Sequence, residues 1–212
     1  MKKPSYSASV FVNCSFSDEF AEMFRAIVFA VLECGFYPRC AKEIIDGGQI
    51  RVQKIQNIIA ECKFGIHDLS YLQLDPFSQL PRLNMAFELG LFLGAKRYGD
   101  DEQGRKRCLI MDAERYRLQQ AISDISGQDI EPHNDDPAQA MRRVRDWLQT
   151  ASRRVTLPGG QEIMRRYRQY EAALPDICAQ LQLAPHELTY NDMWETITEW
   201  QKAVAEQGEG GD

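Results

Sequence analysis

The sequence lacks any long apolar run. Its longest uninterrupted aliphatic and aromatic stretch, Ala26 to Leu32, has seven residues and lies between Arg25 and Glu33. A helix that spans a bilayer needs about 20 such residues. The basic N-terminus is also not followed by the apolar core and cleavage site of a secretory signal. We therefore expect no membrane helix and a cytoplasmic protein.

Motifs for disulfides and metals are missing as well. The six cysteines include no C-x-x-C pair, and the three histidines lie apart from the cysteines and from one another. This spacing fits neither a zinc site nor a Cys/His relay. Most of the cysteines sit in apolar runs, where a thiol packs as a small hydrophobic group. We expect six free thiols, no metal site and no required cofactor.

Positive charge is in short supply, with 25 Lys and Arg against 31 Asp and Glu, a formal net charge of −6. A broad phosphate-binding face is therefore not indicated, and nucleic acid is not an expected partner. The arginines of the second half alternate with acidic residues, which is typical of solvated or partner-facing helices. With 44% hydrophobic residues in 212, the chain has enough apolar material for a core.

The first half of the chain alternates strand-like apolar runs with helical periodicity, which predicts a parallel sheet covered by helices. Strands are predicted at 8–13, 36–40, 64–68 and 107–112, with helices between them. We predict an α/β domain over residues 1–134, with a flavodoxin-like sheet of order 2-1-3-4-5.

The second half predicts a C-terminal helical extension over 135–207, followed by a disordered tail at 208–212. One helix opens at Asp136-Pro137, one covers 161–183 with a break or kink near Pro175, and one covers 191–206. Four large rings lie in this region: Tyr167, Tyr170, Trp194 and Trp200. Because so many rings need covering, we expect the extension to pack on the sheet domain or on a second copy of the chain.

Ligands of an open parallel sheet bind beyond the carboxyl ends of its strands, where the strand order reverses. Here that crevice is flanked by the loop Asn13 to Ser17 and by Asp68. Ser15, Ser17 and the first N–H groups of the following helix can hold a phosphate or a ribose hydroxyl. Helix capping by Ser17 or Asp18 is the structural alternative.

Glu88 is the most informative residue of the sequence. It lies on the edge of the inward stripe of its helix, three residues after Met85 and four before Phe92. A carboxyl group aimed at the sheet must be paired, hydrogen-bonded or protonated. Asn84, one turn earlier, can orient it. The structural alternative is a Glu that reaches the surface and pairs with an arginine.

A segment with two prolines separates Asp68 from Asn84 and contains Asp75. It is longer than the usual connection between a strand and a helix, which indicates a functional loop or a lid. Two carboxylates in one pocket suit cleavage of a glycosidic bond, because one can attack or stabilise the anomeric carbon. For Asp68 the alternative is a turn cap.

The helix segment Ala86-Phe-Glu-Leu-Gly-Leu-Phe-Leu-Gly-Ala-Lys96, with strand-end Asp68 and the first-strand run Val10-Phe-Val-Asn13, resembles the nucleoside 2-deoxyribosyltransferase-like superfamily, whose frame is shared by the TIR domains. The resemblance covers roughly the first 112 residues. It implies Glu88 as nucleophile, Asp68 as a sugar or base contact, and a pocket that includes the loop from Asn13 to Ser17. The transferases usually carry an Asp and a Gly-Thr pair before this helix, where this chain has Leu80-Pro-Arg-Leu-Asn84, so hydrolysis is expected rather than transfer.

These observations predict cleavage of the N-glycosidic bond of a nucleoside, a nucleotide or a dinucleotide such as NAD. The candidate catalytic residues are Glu88, Asp68 and Asn84, and the candidate substrate-binding residues are Asn13, Ser15, Phe16, Ser17, Gly48, Arg51 and Asp75. Gly48 and Arg51 are included because they open the second helix, although a plain turn is the alternative. Two other functions stay open: a non-catalytic TIR-like module that binds a nucleotide or a protein, and an adaptor that works through its C-terminal helices, which can also form a homo-oligomer.

Overall fold

The computed structural model describes residues 4–71, 82–154 and 156–209. Within these ranges no helix is both long enough and apolar enough to cross a membrane.

Five parallel strands form the sheet: β1 (Ser9–Asn13), β2 (Tyr37–Arg39), β3 (Phe64–Asp68), β4 (Arg107–Asp112) and β5 (Ile130–Pro132). Their order is β2-β1-β3-β4-β5, which confirms the predicted flavodoxin-like sheet. The last strand lies in a polar stretch whose sequence predicts only a loop. Its three residues include a proline, and they are a strand because they pair with β4, Ile130 opposite Ile110.

Helices cover both faces of the sheet. α1 (Ala21–Glu33) and α6 (Pro137–Ser152) pack on one face, and α2 (Arg51–Ala60) and α3 (Asn84–Tyr98) pack on the other. Two short helices, α4 (Asp101–Gly104) and α5 (Arg117–Ala121), precede and follow β4. The side chains of each strand contact these two helical layers in alternation, because successive side chains of a strand point to opposite faces.

The two ends of α1 differ from each other in how well the sequence predicts them. Gly35 follows the helix with a φ of +72°, the left-handed conformation that favours glycine, and terminates it as expected. At the other end, Ser17 does not cap α1. A 3-10 turn, Asp18–Phe20, intervenes, and the side chain of Ser17 makes no capping hydrogen bond.

The extension forms an outer layer on α1. It consists of α7 (Gly160–Gln180) and α8 (Tyr190–Glu209), while α6 belongs to the layer that covers the sheet. The rings of Tyr167, Tyr170 and Trp200 contact Phe29 of α1. The extension therefore packs on the sheet domain through a continuous core.

The sequence predicts a break or a kink in α7 near Pro175, and the break does not occur, since one helix runs through the proline. Buried side chains on both sides of the proline, Tyr170, Leu174 and Cys178, hold the helix against α1 and offset the missing hydrogen bond. The predicted disordered tail at 208–212 is wrong for residues 208 and 209, because α8 continues to Glu209. Residues 210–212 lie outside the described residues.

Ion pairs and hydrogen bonds fasten the outer layer. Arg166 Nε lies 2.6 Å from the Glu33 carboxylate, and Arg25 Nε lies 2.9 Å from that of Glu171. The Tyr190 hydroxyl donates to the Pro38 carbonyl at 2.5 Å. All six cysteines are free, as predicted.

Candidate functional site

Glu88 lies where the helical stripe predicts it. Its neighbours on the inward face of α3, Met85, Leu89 and Phe92, are buried, and Glu88 itself is only 7% exposed. The carboxyl group is thus held among apolar side chains at the helix end nearest the carboxyl edge of the sheet.

The environment of Glu88 favours its protonated form. Burial raises the pKa of its carboxyl group from 4.5 to about 7, against the opposing charge of Arg51. Within the described part of the chain, no ion pair includes Glu88. The structural alternative of a salt-bridged surface Glu is therefore not what the structure contains.

Arg51 and Gly48 lie at the start of α2. Arg51 is the first residue of that helix and is exposed, and its charge acts on Glu88. The N–H group of Gly48 donates to Asp46 Oδ1 at 2.9 Å, which is a local turn contact. The structure therefore brings Arg51 near Glu88 and uses the Gly48 amide in the turn.

Asn13 joins β1 to the opposite helix. Its Nδ2 donates to the Met85 carbonyl at 2.8 Å and lies 3.0 Å from His67 Nδ1. Burial lowers the pKa of His67 to about 3, so its ring is neutral, and its Nε2 is buried without a hydrogen-bond partner. Asn13 thereby fixes the first turn of α3, and with it the position of Glu88.

The loop after β1 is closed by its own serines. Ser15 Oγ donates to Ser17 Oγ at 3.1 Å and accepts the Ser17 N–H at 3.3 Å. Two acidic residues open the 3-10 turn that follows, Asp18 and Glu19, so negative charge surrounds the N-terminus of α1 and disfavours an anion there. Phe16 packs against the apolar clusters on both faces of the sheet.

Asp68 ends β3 and is directed away from the sheet face that carries α3 and Glu88. Strand alternation directs it to the face of Phe64 and Ile66, which carries α1 and α6, whereas Glu88 approaches from α3. Asp68 Oδ2 lies 2.9 Å from His133 Nε2, and Oδ1 accepts the Ser70 N–H at 3.0 Å. Instead of the expected acid pair, the two carboxyl groups have separate surroundings.

His133 completes a buried polar cluster that the sequence does not reveal. Its Nε2 also lies 2.8 Å from Ser70 Oγ, and its Nδ1 accepts the Asp135 N–H at 3.2 Å. Since Nδ1 is an acceptor, the neutral ring carries its proton on Nε2, and so does the charged ring. His133 therefore cannot take a proton from Ser70, and the cluster is not a Ser/His/Asp nucleophile.

A second buried carboxylate extends this cluster. Asp112, the last residue of β4, accepts from the Ala113 N–H at 2.7 Å and from the guanidinium of Arg117, which also donates to the Ser70 carbonyl. Asp112 and His133 each stand at a strand end. Asp112 ends the predicted fourth strand, so the strand-end rule could have selected it from sequence, whereas His133 could be selected only if β5 had been located.

Two other candidates are less constrained. Asn84 begins α3 and is exposed, one turn before Glu88. Asp75 and the predicted lid lie outside the described residues.

Gly90 and Gly94 lie inside α3, where the sequence favours a close approach to a strand or a ligand as the reason for a glycine. A Cβ atom added at either position would meet nothing within 4 Å, and both glycines line a groove between α2 and α3, so contact with the sheet does not explain them. The close approach occurs instead at Gly65 of β3, where a Cβ would lie 2.7 Å from the Phe92 ring.

Comparison with protein-family models, curated proteins and solved structures finds no match for this chain. The resemblance to the nucleoside 2-deoxyribosyltransferase-like superfamily therefore rests on the residues that carry it.

Proposed function

We propose that the protein hydrolyses the N-glycosidic bond of a nucleoside, a nucleotide or an NAD-like dinucleotide, with Glu88 as nucleophile or as stabiliser of the sugar cation. The observation that carries this proposal is a buried carboxyl group at the reversal point of the sheet that forms no ion pair with any of the described residues. Burial of an unpaired carboxyl group lowers the stability of the folded protein, because burial disfavours the charged form. A buried glutamate without a partner is therefore expected where the function of the protein requires it.

The chemistry suits a reaction that creates positive charge. Loss of the base leaves an oxocarbenium-like sugar, and a carboxylate held in apolar surroundings stabilises that charge more strongly than one in water. Asn13 and the buried stripe of α3 hold the helix in place, so little reorganisation is needed during the reaction. Asp68 is engaged by His133 and Ser70 and takes no part in this step.

The pH dependence follows from the same role. Glu88 must be ionised to attack or stabilise the sugar, and its pKa is raised to about 7. Under kcat/KM conditions we expect base release to rise with pH through about 7 and then level off. A rate that falls over this range would indicate that Glu88 acts as a proton donor instead.

The direct test is a base-release assay on a panel of nucleosides, nucleotides and NAD, with the products separated by chromatography. We expect release by the wild-type protein and a loss of at least 100-fold in Glu88→Gln, a typical effect of removing one charge-stabilising group. Glu102→Gln is the matched control, since Glu102 is exposed in α4. Equal rates in the wild-type and Glu88→Gln proteins would refute the proposal.

The second candidate is a non-catalytic module that binds a nucleotide. It is favoured by a cavity of about 760 Å³ that opens beside Phe16 and Ser17 and is lined by neither Glu88 nor Asp68. Nucleotide binding without base release from any member of the panel would support this candidate.

A further inference from the structure

We propose that the cavity between the loop after β1 and the corner of α7 and α8 is a mononucleotide subsite. The substrate would then be a dinucleotide, with one half in this cavity and the scissile bond beside Glu88. This inference rests on the proposed function and narrows its substrate class.

The cavity has the size and the lining of a ligand site. Its volume is about 760 Å³, within the usual range for small-molecule pockets of about 300–1,000 Å³. Three buried apolar side chains, Phe24, Leu174 and Met193, line it and can cover a flat base. Asp18 adds a carboxylate that can bond ribose hydroxyls, whereas the Thr189 hydroxyl already donates to Asp192 at 2.7 Å.

Lys42 supplies the phosphate-binding charge. Its Nζ lies 4.9 Å from the centre of the Phe16 ring, and both residues line the cavity. No ion pair among the described residues includes Lys42. The other cation nearby, Arg25, already pairs with Glu171. A phosphate is therefore expected at Lys42 rather than at Arg25.

The loop after β1 joins this cavity to the reaction centre. Asn13, at the start of this loop, donates to the Met85 carbonyl in the first turn of α3, the helix that carries Glu88. Three residues further on, Phe16 lines the cavity and packs against the apolar clusters of both sheet faces. A ligand that follows this loop would pass from the cavity to the first turn of α3, and a dinucleotide has two riboses and two phosphates between its bases along such a path.

The far wall of the cavity belongs to the extension and is firmly attached. Tyr190 at the start of α8 donates to the Pro38 carbonyl, and Asn191 Nδ2 donates to the Glu43 carbonyl at 3.4 Å. Since Leu174 and Met193 come from α7 and α8, the subsite is incomplete without these helices. This gives the outer layer a role in recognition.

The first experiment measures binding without turnover. Adenosine monophosphate is titrated by calorimetry into Glu88→Gln protein, alone and combined with Lys42→Ala. Lys63→Ala is the matched control, because Lys63 also lies over a phenylalanine ring, at 5.3 Å from the centre of Phe64, but does not line the cavity. We expect Lys42→Ala to weaken binding at least tenfold and Lys63→Ala to leave it unchanged. No binding at millimolar nucleotide, or equal binding by all three proteins, would overturn the subsite.

The second experiment measures base release from NAD and from nicotinamide riboside by protein with Glu88 intact. We expect Lys42→Ala to raise KM for NAD about tenfold, with kcat and the riboside reaction unchanged. Equal kcat/KM for both substrates in the wild-type protein would overturn the inference and leave the proposed function standing. Lys42-dependent nucleotide binding without base release from either substrate would refute the proposed function and the dinucleotide path, while the subsite itself would stand.

Discussion

Replacing Glu88 by glutamine should stabilise the protein, and the gain should grow with pH. The folded protein holds the Glu88 proton up to about pH 7, whereas an unfolded chain releases it near 4.5. Between these values the folded state binds more protons than the unfolded state, so the Glu88 contribution to stability falls as pH rises. Glutamine keeps the size of the side chain and does not titrate.

The expected magnitude follows from the two pKa values. Linkage gives a gain on Glu88→Gln of about 1 kcal/mol at pH 5 and about 3 kcal/mol at pH 8. At pH 4 and below, the glutamate is neutral in the folded protein and the gain should approach zero. For a chain of this length each kcal/mol corresponds to about 2–4 °C in Tm.

The measurement is urea unfolding of both proteins at pH 5 and pH 8. Glu33→Gln is the contrasting control, because Glu33 accepts from Arg166 at 2.6 Å and from Gln201 at 2.9 Å. It should lose about 1–3 kcal/mol at neutral pH. A Glu88→Gln protein that is less stable than wild type at pH 8 would show that Glu88 holds a structural ion pair and would refute the reasoning.

Three further changes test other parts of the structure. His133→Ala should cost about 2–4 kcal/mol in urea unfolding, because it leaves the Asp68 carboxylate buried beside a cavity; a neutral effect would mean that water replaces the imidazole. Gly65→Ala should lower the free energy of unfolding by about 1–3 kcal/mol, since its Cβ would lie 2.7 Å from the Phe92 ring. Gly90→Ala should raise it by about 0.5–1 kcal/mol, because this helical position is open. A stabilising Gly65→Ala together with a destabilising Gly90→Ala would contradict the packing at β3. Thiol titration in denaturant should count six free thiols, and a smaller number would indicate a disulfide or an oxidised cysteine.

The sheet could be predicted from sequence to the extent that each strand carries its own signal. β1, β3 and β4 are runs of apolar residues bounded by polar ones, and α3 is found at its true bounds, 84–98. β5 has three residues, and only its pairing with β4 makes it a strand. Such a strand depends on contacts distant in sequence, which local patterning does not record.

In the candidate site, too, features that depend on local spacing could be predicted from sequence, and contacts between distant residues could not. Glu88 could be found because its burial follows from helical spacing on one element. The partner of Asp68 could not, because His133 is far away in sequence and reaches Asp68 only after β5 takes its place beside β4. From sequence alone, an Asp at a strand end suggests a substrate contact. In the structure, this Asp has a histidine as its partner instead.

The contrast between the two carboxyl groups bears most directly on function. Asp68 is 1% exposed, but a histidine and a backbone amide offset the cost of burying its charge. Glu88 is nearly as buried, and among the described residues it is the charge of Arg51 that opposes its desolvation. A leucine or glutamine would fit the stripe of α3 at lower cost, so stability does not explain a glutamate at this position. Under the proposed function, the positive charge that develops on the sugar during loss of the base explains it, because the ionised carboxylate stabilises that charge.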